Sequence, residues 1–416
     1  MSKRFWLLGV MALILAGLLM ACGSNYNTSS NGLILVGSQG SSVIQTYSFN
    51  LNSGHTSSIA NSNNDTGNET CLLNGSPASM VMHPAGTYAY VIFNASSQCP
   101  NATSYGIATF QVKSDGTVAQ VGNLLPDTNP VSLAIDAAGK YLFVAEGAAG
   151  AIEVFSVGSG GTPTSVGGAT ISGLSSQKPN IVAVAATPTV FPGTGINGTQ
   201  NSVCSVGSNP PTSQYLYAVD SNNYLVWEFS VDPSSGALGN PPGGAAPFSF
   251  STDAVPAGVA VDPCDRFVYV SGSLHNKINA YTICTVVSNG ICPTADGSLI
   301  PVSGSPFVVV GSANGLGPIV VDPYGNNVYV VGTLSNTLSA FKISSQSGSL
   351  SALTPATVAT GAQPKSIAIR GDDNWAFVSN YGSASVSQYS ITPATGALSV
   401  LPTITTDNYP FGVAVK

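Results

Sequence analysis

The sequence predicts an all-β protein: a single seven-bladed β-propeller of four-stranded blades, closed by pairing of the C-terminal strand into the N-terminal blade. Three observations predict it. A four-strand unit recurs seven times over roughly 40 to 60 residues each, the propeller range rather than the solenoid range. Charged residues are only 7% of the 416, hydrophobic residues are 44%, and there are 46 glycines. That mixture suits short strands and tight turns, because Gly accepts positive φ, and suits surface helices badly. Finally, the first unit lacks an innermost strand, and the last residues, Tyr409 to Val415, read as an innermost strand with no followers.

The repeat is carried by two registers. An aromatic-x-aliphatic strand appears at Phe110-Gln111-Val112, Phe155-Ser156-Val157, Phe229-Ser230-Val231, Tyr281-Thr282-Ile283, Phe341-Lys342-Ile343 and Tyr389-Ser390-Ile391, with Tyr47-Ser48-Phe49 as a variant. A glycine turn follows each one: Gly54, Gly116, Gly161, Gly236, Gly297, Gly348 and Gly396. Strand, turn and strand make a hairpin. Upstream lies a second register, at Leu35-Val36, Tyr90-Val91, Phe143-Val144, Tyr217-Ala218, Tyr269-Val270, Tyr329-Val330 and Phe377-Val378. Before that comes a short strand of small and branched residues, suited to crowding around an axis. The recurrent aromatics, held at one register, read as inter-blade packing rather than a sugar platform.

Residues 1–21 read as a signal peptide, with Lys3 and Arg4 ahead of an apolar run from Phe5 to about Leu19. The run is short for a membrane span, which takes roughly 20 apolar residues. It ends in Leu19-Met20-Ala21-Cys22-Gly23, which resembles the bacterial lipobox and makes Cys22 the lipidated residue. Residues 22–30 read as a flexible tether, and 31–416 as the propeller, with an insertion in the fourth blade from Thr187 to Ser213. In an exported chain the other six cysteines, Cys71, Cys99, Cys204, Cys264, Cys284 and Cys292, read as disulfide-bonded. Fifteen pairings are possible. Proximity favours Cys71 with Cys99 and Cys284 with Cys292, leaving Cys204 with Cys264 by default. With no CxxC spacing and few histidines, no metal and no cofactor is expected.

The units resemble the YVTN-type repeats of the seven-bladed lactonase-like propellers. The clearest copies run from Val261-Asp262-Pro263 to Tyr269-Val270-Ser271-Gly272, and along Ala376-Phe377-Val378-Ser379-Asn380. The resemblance covers essentially everything after the tether. It implies the fold and leaves the activity open, because that family includes 6-phosphogluconolactone hydrolases, muconate-lactonising relatives and surface proteins without an assigned reaction. Lactonase-like relatives often carry Pro-His at the mouth of an inner strand. The matching positions here are Pro77-Ala78, Pro130-Val131, Pro179-Asn180, Pro256-Ala257, Pro318-Ile319, Pro364-Lys365 and Pro410-Phe411, and none has His. A phosphorylated substrate would also want arginine forks. Beyond the leader only Arg266 and Arg370 exist, both in turns expected at the opposite end of the channel.

Loops into the innermost strands and loops after the second strands form a propeller's mouth. They supply Lys178, Lys365, Glu146, Asp220, His275 and Lys277, with Gln39, Asn94, Asn380 and Tyr381 as neutral polar groups. A lactone hydrolase needs a base and an oxyanion donor. Glu146 or His275 could be the base, and Lys365 or Lys277 the donor. Asp220, Lys178, Lys277, Asn380 and Tyr381 are ligand-binding candidates, and the plainer reading of all of them is a solvated polar mouth. His83 and His55 read as solvated turn residues, Asn61 to Thr66 as a solvated loop rather than a calcium loop, and Asp372-Asp373-Asn374 as a turn.

No GxSxG, HExxH or P-loop is present. Without Lys3 and Arg4, nine basic residues face eighteen acidic ones, which excludes a basic nucleic-acid-binding stripe. The expected function is that of an exported, lipid-anchored binding and interaction platform in a bacterial cell envelope, at the periplasmic or outer-membrane and surface face. Its partner would be an envelope protein or a small neutral ligand or saccharide. The chain is expected to be a monomer that meets the membrane only through its lipid. One alternative is hydrolysis of an uncharged lactone ester at the mouth, as in a 6-phosphogluconolactonase-like enzyme. Another is a surface adhesin or matrix protein.

Overall fold

Seven antiparallel sheets follow one another along the chain, and each is one blade of the propeller. The computed structural model describes residues 31–59, 76–94, 105–127, 129–171, 177–187, 214–240, 248–252, 255–284, 292, 297–311 and 315–416. The leader, the tether, Cys22, Cys71, Cys99, Cys204, residues 61–66 and residues 188–213 of the insertion lie outside them.

Blade 1 is assembled from both ends of the chain. Asn31–Ser38 pairs on one side with Val43–Asn50 and on the other with Pro410–Val415, so the C-terminal strand supplies the innermost position. Blades 2 to 7 each run from an innermost strand outward. In blades 4 and 5 the outermost strand is in two pieces: Leu238–Gly239 and Phe248–Ser251 both pair with Leu225–Val231, and Leu299–Pro301 and Phe307–Val308 both pair with Lys277–Ile283.

Burial explains the composition of each strand. The second strands are covered on both faces by neighbouring blades, so Trp375–Asn380 and Phe267–Gly272 are buried at every residue. Strands buried on both faces need no polar alternation. Outermost strands such as Pro163–Thr170 are mostly exposed. The apolar core is divided into seven clusters, one at each seam between successive blades; that of blades 5 and 6 joins Tyr269, Phe267 and Ile278 to Val328, Val330 and Phe341.

The seams are wedged by the repeated glycines. A Cβ on Gly348, whose φ is +73°, would lie 2.5 Å from the Phe267 ring of the preceding blade. Tyr88 meets Gly161 in the same way, Tyr141 meets Gly236, Tyr215 meets Gly297, Asn327 meets Gly396 and Trp375 meets Gly54. Four tyrosines of the second register fix the same turns through their hydroxyls. Tyr90 donates to the Gly161 carbonyl, Tyr217 to Gly297, Tyr269 to Gly348 and Tyr329 to Gly396. At the closing seam Phe377 has no hydroxyl, and the Gln388 amide donates to the Gly54 carbonyl instead.

Cys284 and Cys292 form a disulfide. Cys264 is also disulfide-bonded, and its partner lies outside the described residues. His83 is not the solvated turn residue expected from sequence. The Ala85 N–H donates to its Nδ1, so Nε2 carries the proton and donates to the Gly139 carbonyl of the next blade at 3.1 Å.

Candidate functional site: the propeller mouth

The mouth is built by one irregularity repeated in all seven blades. Each innermost strand slips its register against the second strand by one residue near its start. A bulge of this kind leaves one residue unpaired and re-aims its side chain. The unpaired residues are Ala78, Val131, Val182, Ala257, Lys365 and Phe411, with blade 6 slipping between Leu316 and Ile319. In blades 4 and 6 the position is therefore not Pro179-Asn180 or Pro318-Ile319, because the ladder and not the proline sets it. Among the described bulge residues Lys365 is the charged one.

Backbone hydrogen bonds hold the rim. The residue before each bulged pair accepts from the residue after the second strand: Asn129 from Gly147, Asn180 from Ser221, Val255 from Ser273, Gly315 from Thr333, Gln363 from Tyr381 and Tyr409 from Gln39.

Glu146 and Asp220 are buried and engaged with this rim, whereas Asp407, in the loop before Pro410–Val415, is half-buried and accepts from the Ser41 hydroxyl. Glu146 is 4% exposed and accepts the Asn129 N–H on Oε2 at 2.9 Å. Asp220 is fully buried and accepts from the backbones of Asn180, Asn222 and Asn223 and from the Asn223 amide. Asn380 accepts the Gly361 N–H and donates to Ser385 and Ser387. Gln39 donates to the Pro77 carbonyl of the next blade at 2.9 Å. Asn94, with its amide nitrogen turned outward, reaches Pro130 in the same way.

Rings and one ammonium gather at the seam between blades 7 and 1. Lys365 Nζ lies 5.7 Å from the Tyr381 ring centroid and 5.9 Å from that of Phe411. Tyr381 stacks on Tyr409 at 4.9 Å, with 34° between the planes, and meets Phe411 edge-on at 6.3 Å.

The sequence matches the profile of the family described as Lactonase, 7-bladed beta-propeller, over residues 34–180 and 292–414. The chain belongs to this seven-bladed lactonase family. Structures similar to this lactonase-family propeller include a provisionally assigned 6-phosphogluconolactonase of Bacteroides fragilis, at a TM-score of 0.70 and 19% identity, covering 94% of this chain and 100% of that one. A second, from Bacteroides uniformis, gives 0.69 and 16%, over 93% and 100%. A periplasmic gluconolactonase of Pseudomonas aeruginosa gives 0.65 and 17%, over 93% and 99%. No curated protein matches the chain.

The other expected site residues of the lactonase-family propeller are spread around the rim. Lys178 is exposed in the loop before Ile181–Ala186 of blade 4, and its carbonyl accepts from the Asn222 amide. His275 is exposed between the second and third strands of blade 5, and Lys277 opens Lys277–Ile283 there. Glu146, His275 and Lys365 thus stand on blades 3, 5 and 7. Lys178 and Asp220 share blade 4, His275 and Lys277 share blade 5, and Lys365, Asn380 and Tyr381 share blade 7.

Sequence reasoning missed Tyr409 as a mouth residue and treated Phe411 only as a residue that is not His. The available signal was the Pro-x alignment itself, since Lys365 and Phe411 occupy that position in adjacent blades. Both arginines lie at the far end of the channel. Arg266 pairs with Asp262 at 2.7 Å and donates to the Gly325 carbonyl, and Arg370 pairs with Asp372. Asp136, Asp262, Asp265, Asp322 and Asp373 are buried there. Burial, then the neighbouring Asp262, raises Asp265 to about 8; burial, then Asp322 and Asp372, raises Asp373 to about 8.

Proposed function

We propose that this chain is an exported, lipid-anchored protein of the bacterial cell envelope whose propeller mouth binds a saccharide or another small cyclic ligand, without turning it over. The observation that carries the reading is the burial of Glu146 and Asp220, the carboxylates at the ends of the second strands of blades 3 and 4. Glu146 and Asp220 are 4% and 0% exposed and hold rim backbone N–H groups. A general base must reach the water it activates. The rings around Lys365 offer binding surface in the same mouth. The disulfide-bonded Cys264, Cys284 and Cys292 support export, because such bonds persist in oxidising compartments.

Family membership favours a second reading: hydrolysis of an uncharged lactone, with Glu146 or His275 as base and Lys365 or Lys277 as oxyanion donor. One experiment separates the two. Protein lacking residues 1–22 is titrated with saccharides by calorimetry, and proton release is followed with neutral and phosphorylated lactones. Saturable binding without turnover is the expected result. Turnover that disappears in Glu146→Gln or His275→Ala would establish the hydrolase instead.

A further inference from the structure

The ring cluster at the closing seam has unused polar ends. Among the described residues the Lys365 ammonium has no hydrogen bond or ion pair, and neither the Tyr381 nor the Tyr409 hydroxyl has a partner. All the same, the cluster is rigidly held. Tyr381 N–H donates to the Gln363 carbonyl, Gly382 N–H to Ala362, Gln39 N–H to Tyr409 and Gly40 N–H to Asn408. The Ala362 N–H is taken by the Ser383 hydroxyl and the Gln363 N–H by the Asn336 side chain.

Tyr409 also carries backbone strain. Its φ is +61°, and its ring is 37% exposed. The left-handed conformation costs a residue with a Cβ about 1–2 kcal/mol, and Gly would adopt it freely. The matching rim residues of blades 6 and 7, Gly315 and Gln363, share the positive φ, and Tyr409 is the one that places an exposed ring there. Tyr381 covers one side of the Tyr409 ring, and the exposed Tyr409 offers the other as an aromatic face. Such a face suits the C–H side of a pyranose, which stacks on aromatic rings without needing a charge. Lys365 adds three donors and a positive charge beside it. Asp407, in the loop that carries Tyr409, accepts from the Ser41 hydroxyl and makes no ion pair with Lys365.

We propose that Lys365, Tyr381, Tyr409 and Phe411 form a subsite for a pyranose ring that bears a carboxylate, such as a hexuronate. The pyranose stacks on Tyr409, which Tyr381 backs, and the carboxylate pairs with the Lys365 ammonium. This rests on the mouth-binding reading above and sharpens it from saccharides in general to acidic ones, at one seam.

The test is calorimetric or NMR titration of the protein lacking residues 1–22 with D-glucuronate and with D-glucose. Wild type should bind glucuronate about tenfold more tightly than glucose, as expected for a charge-assisted hydrogen bond. Lys365→Met should remove that preference by weakening glucuronate about tenfold more than glucose. Tyr409→Gly should weaken both sugars about tenfold or more while the melting temperature holds. Relief of the positive φ offsets the lost ring contact, which is about 0.5–1.5 kcal/mol. A wild type without preference for glucuronate overturns the subsite, as does Tyr409→Gly binding like wild type. If saccharides bind but neither variant changes anything, the mouth-binding reading stands and this subsite falls. If no saccharide binds and lactones are turned over, both fall.

Discussion

The Tyr269 hydroxyl donates to the Gly348 carbonyl at 2.9 Å, tying the second strand of blade 5 to the outer turn of blade 6. Phe267, two residues earlier, packs where a Gly348 side chain would go. The two contacts should separate in mutants. Tyr269→Phe leaves a buried carbonyl unpaired and should cost about 1–3 kcal/mol. Gly348→Ala adds left-handed strain to a clash with the Phe267 ring and should cost more, about 2–5 kcal/mol. Denaturant melts of the two variants check the order.

Asp373 gives the protein a pH dependence of definite sign. Its carboxyl is fully buried, neither oxygen has a partner, and its pKa is raised to about 8 from 3.8. The folded state therefore keeps a proton that the unfolded chain releases between about pH 4 and pH 8. Stability from this group is full below pH 4 and lost as pH rises through 8. Asp265, also raised to about 8, acts with the same sign. Melting temperature should fall from pH 5 to pH 8.5. Asp373→Asn should flatten the profile and stabilise the protein at pH 8 by about 1–3 kcal/mol.

Glu146 can be tested as a brace apart from any chemistry. Glu146→Ala strands the Asn129 N–H and should destabilise by about 1–3 kcal/mol. Glu146→Gln keeps an acceptor oxygen and should retain most of that stability. Equal melting curves for Glu146→Ala and wild type would remove the brace.

Closure depends on the last strand. Pro410–Val415 supplies the inner edge of blade 1, and Val413 and Ala414 belong to the cores on either side of it. Deleting residues 409–416 should abolish cooperative unfolding and expose an unpaired strand edge, seen as aggregation in size-exclusion chromatography.

The proposed anchor has its own test. Cys22→Ser, expressed in a bacterial host with lipoprotein processing, should move the protein from the membrane to the soluble fraction. Persistence in the membrane would remove the lipid.

The blades were legible in the sequence because doubly buried strands and wedged glycines tolerate few substitutions. Tyr269-Val270 and Gly348 advertise one seam, and Tyr90 with Gly161, Tyr217 with Gly297 and Tyr329 with Gly396 repeat the pattern at three others. The mouth was less legible. Glu146, Asp220 and Lys365 could be placed on it, but not their engagement, because the rim N–H groups that hold Glu146 and Asp220 come from loops. His83 looked solvated because its partner, the Gly139 carbonyl, belongs to the next blade. Pro179-Asn180 was misplaced because the bulge follows the Ile181–Asp220 pairing. Tyr409 escaped notice because its stacking on Tyr381 exists only once the ring of blades is closed.

The first strand starts at Asn31, and Leu33 exchanges backbone hydrogen bonds with Lys416. That end of the strand is the face of the Asp262 and Asp322 turns, whereas Lys365 and Tyr409 occupy the other. A lipid on Cys22, nine residues upstream of Asn31, could reach on the order of 30 Å. With the proposed lipid in place, the tether would join the propeller on the face away from the mouth. Molecules diffusing in from outside would meet the ring-lined seam directly, without passing between protein and lipid headgroups.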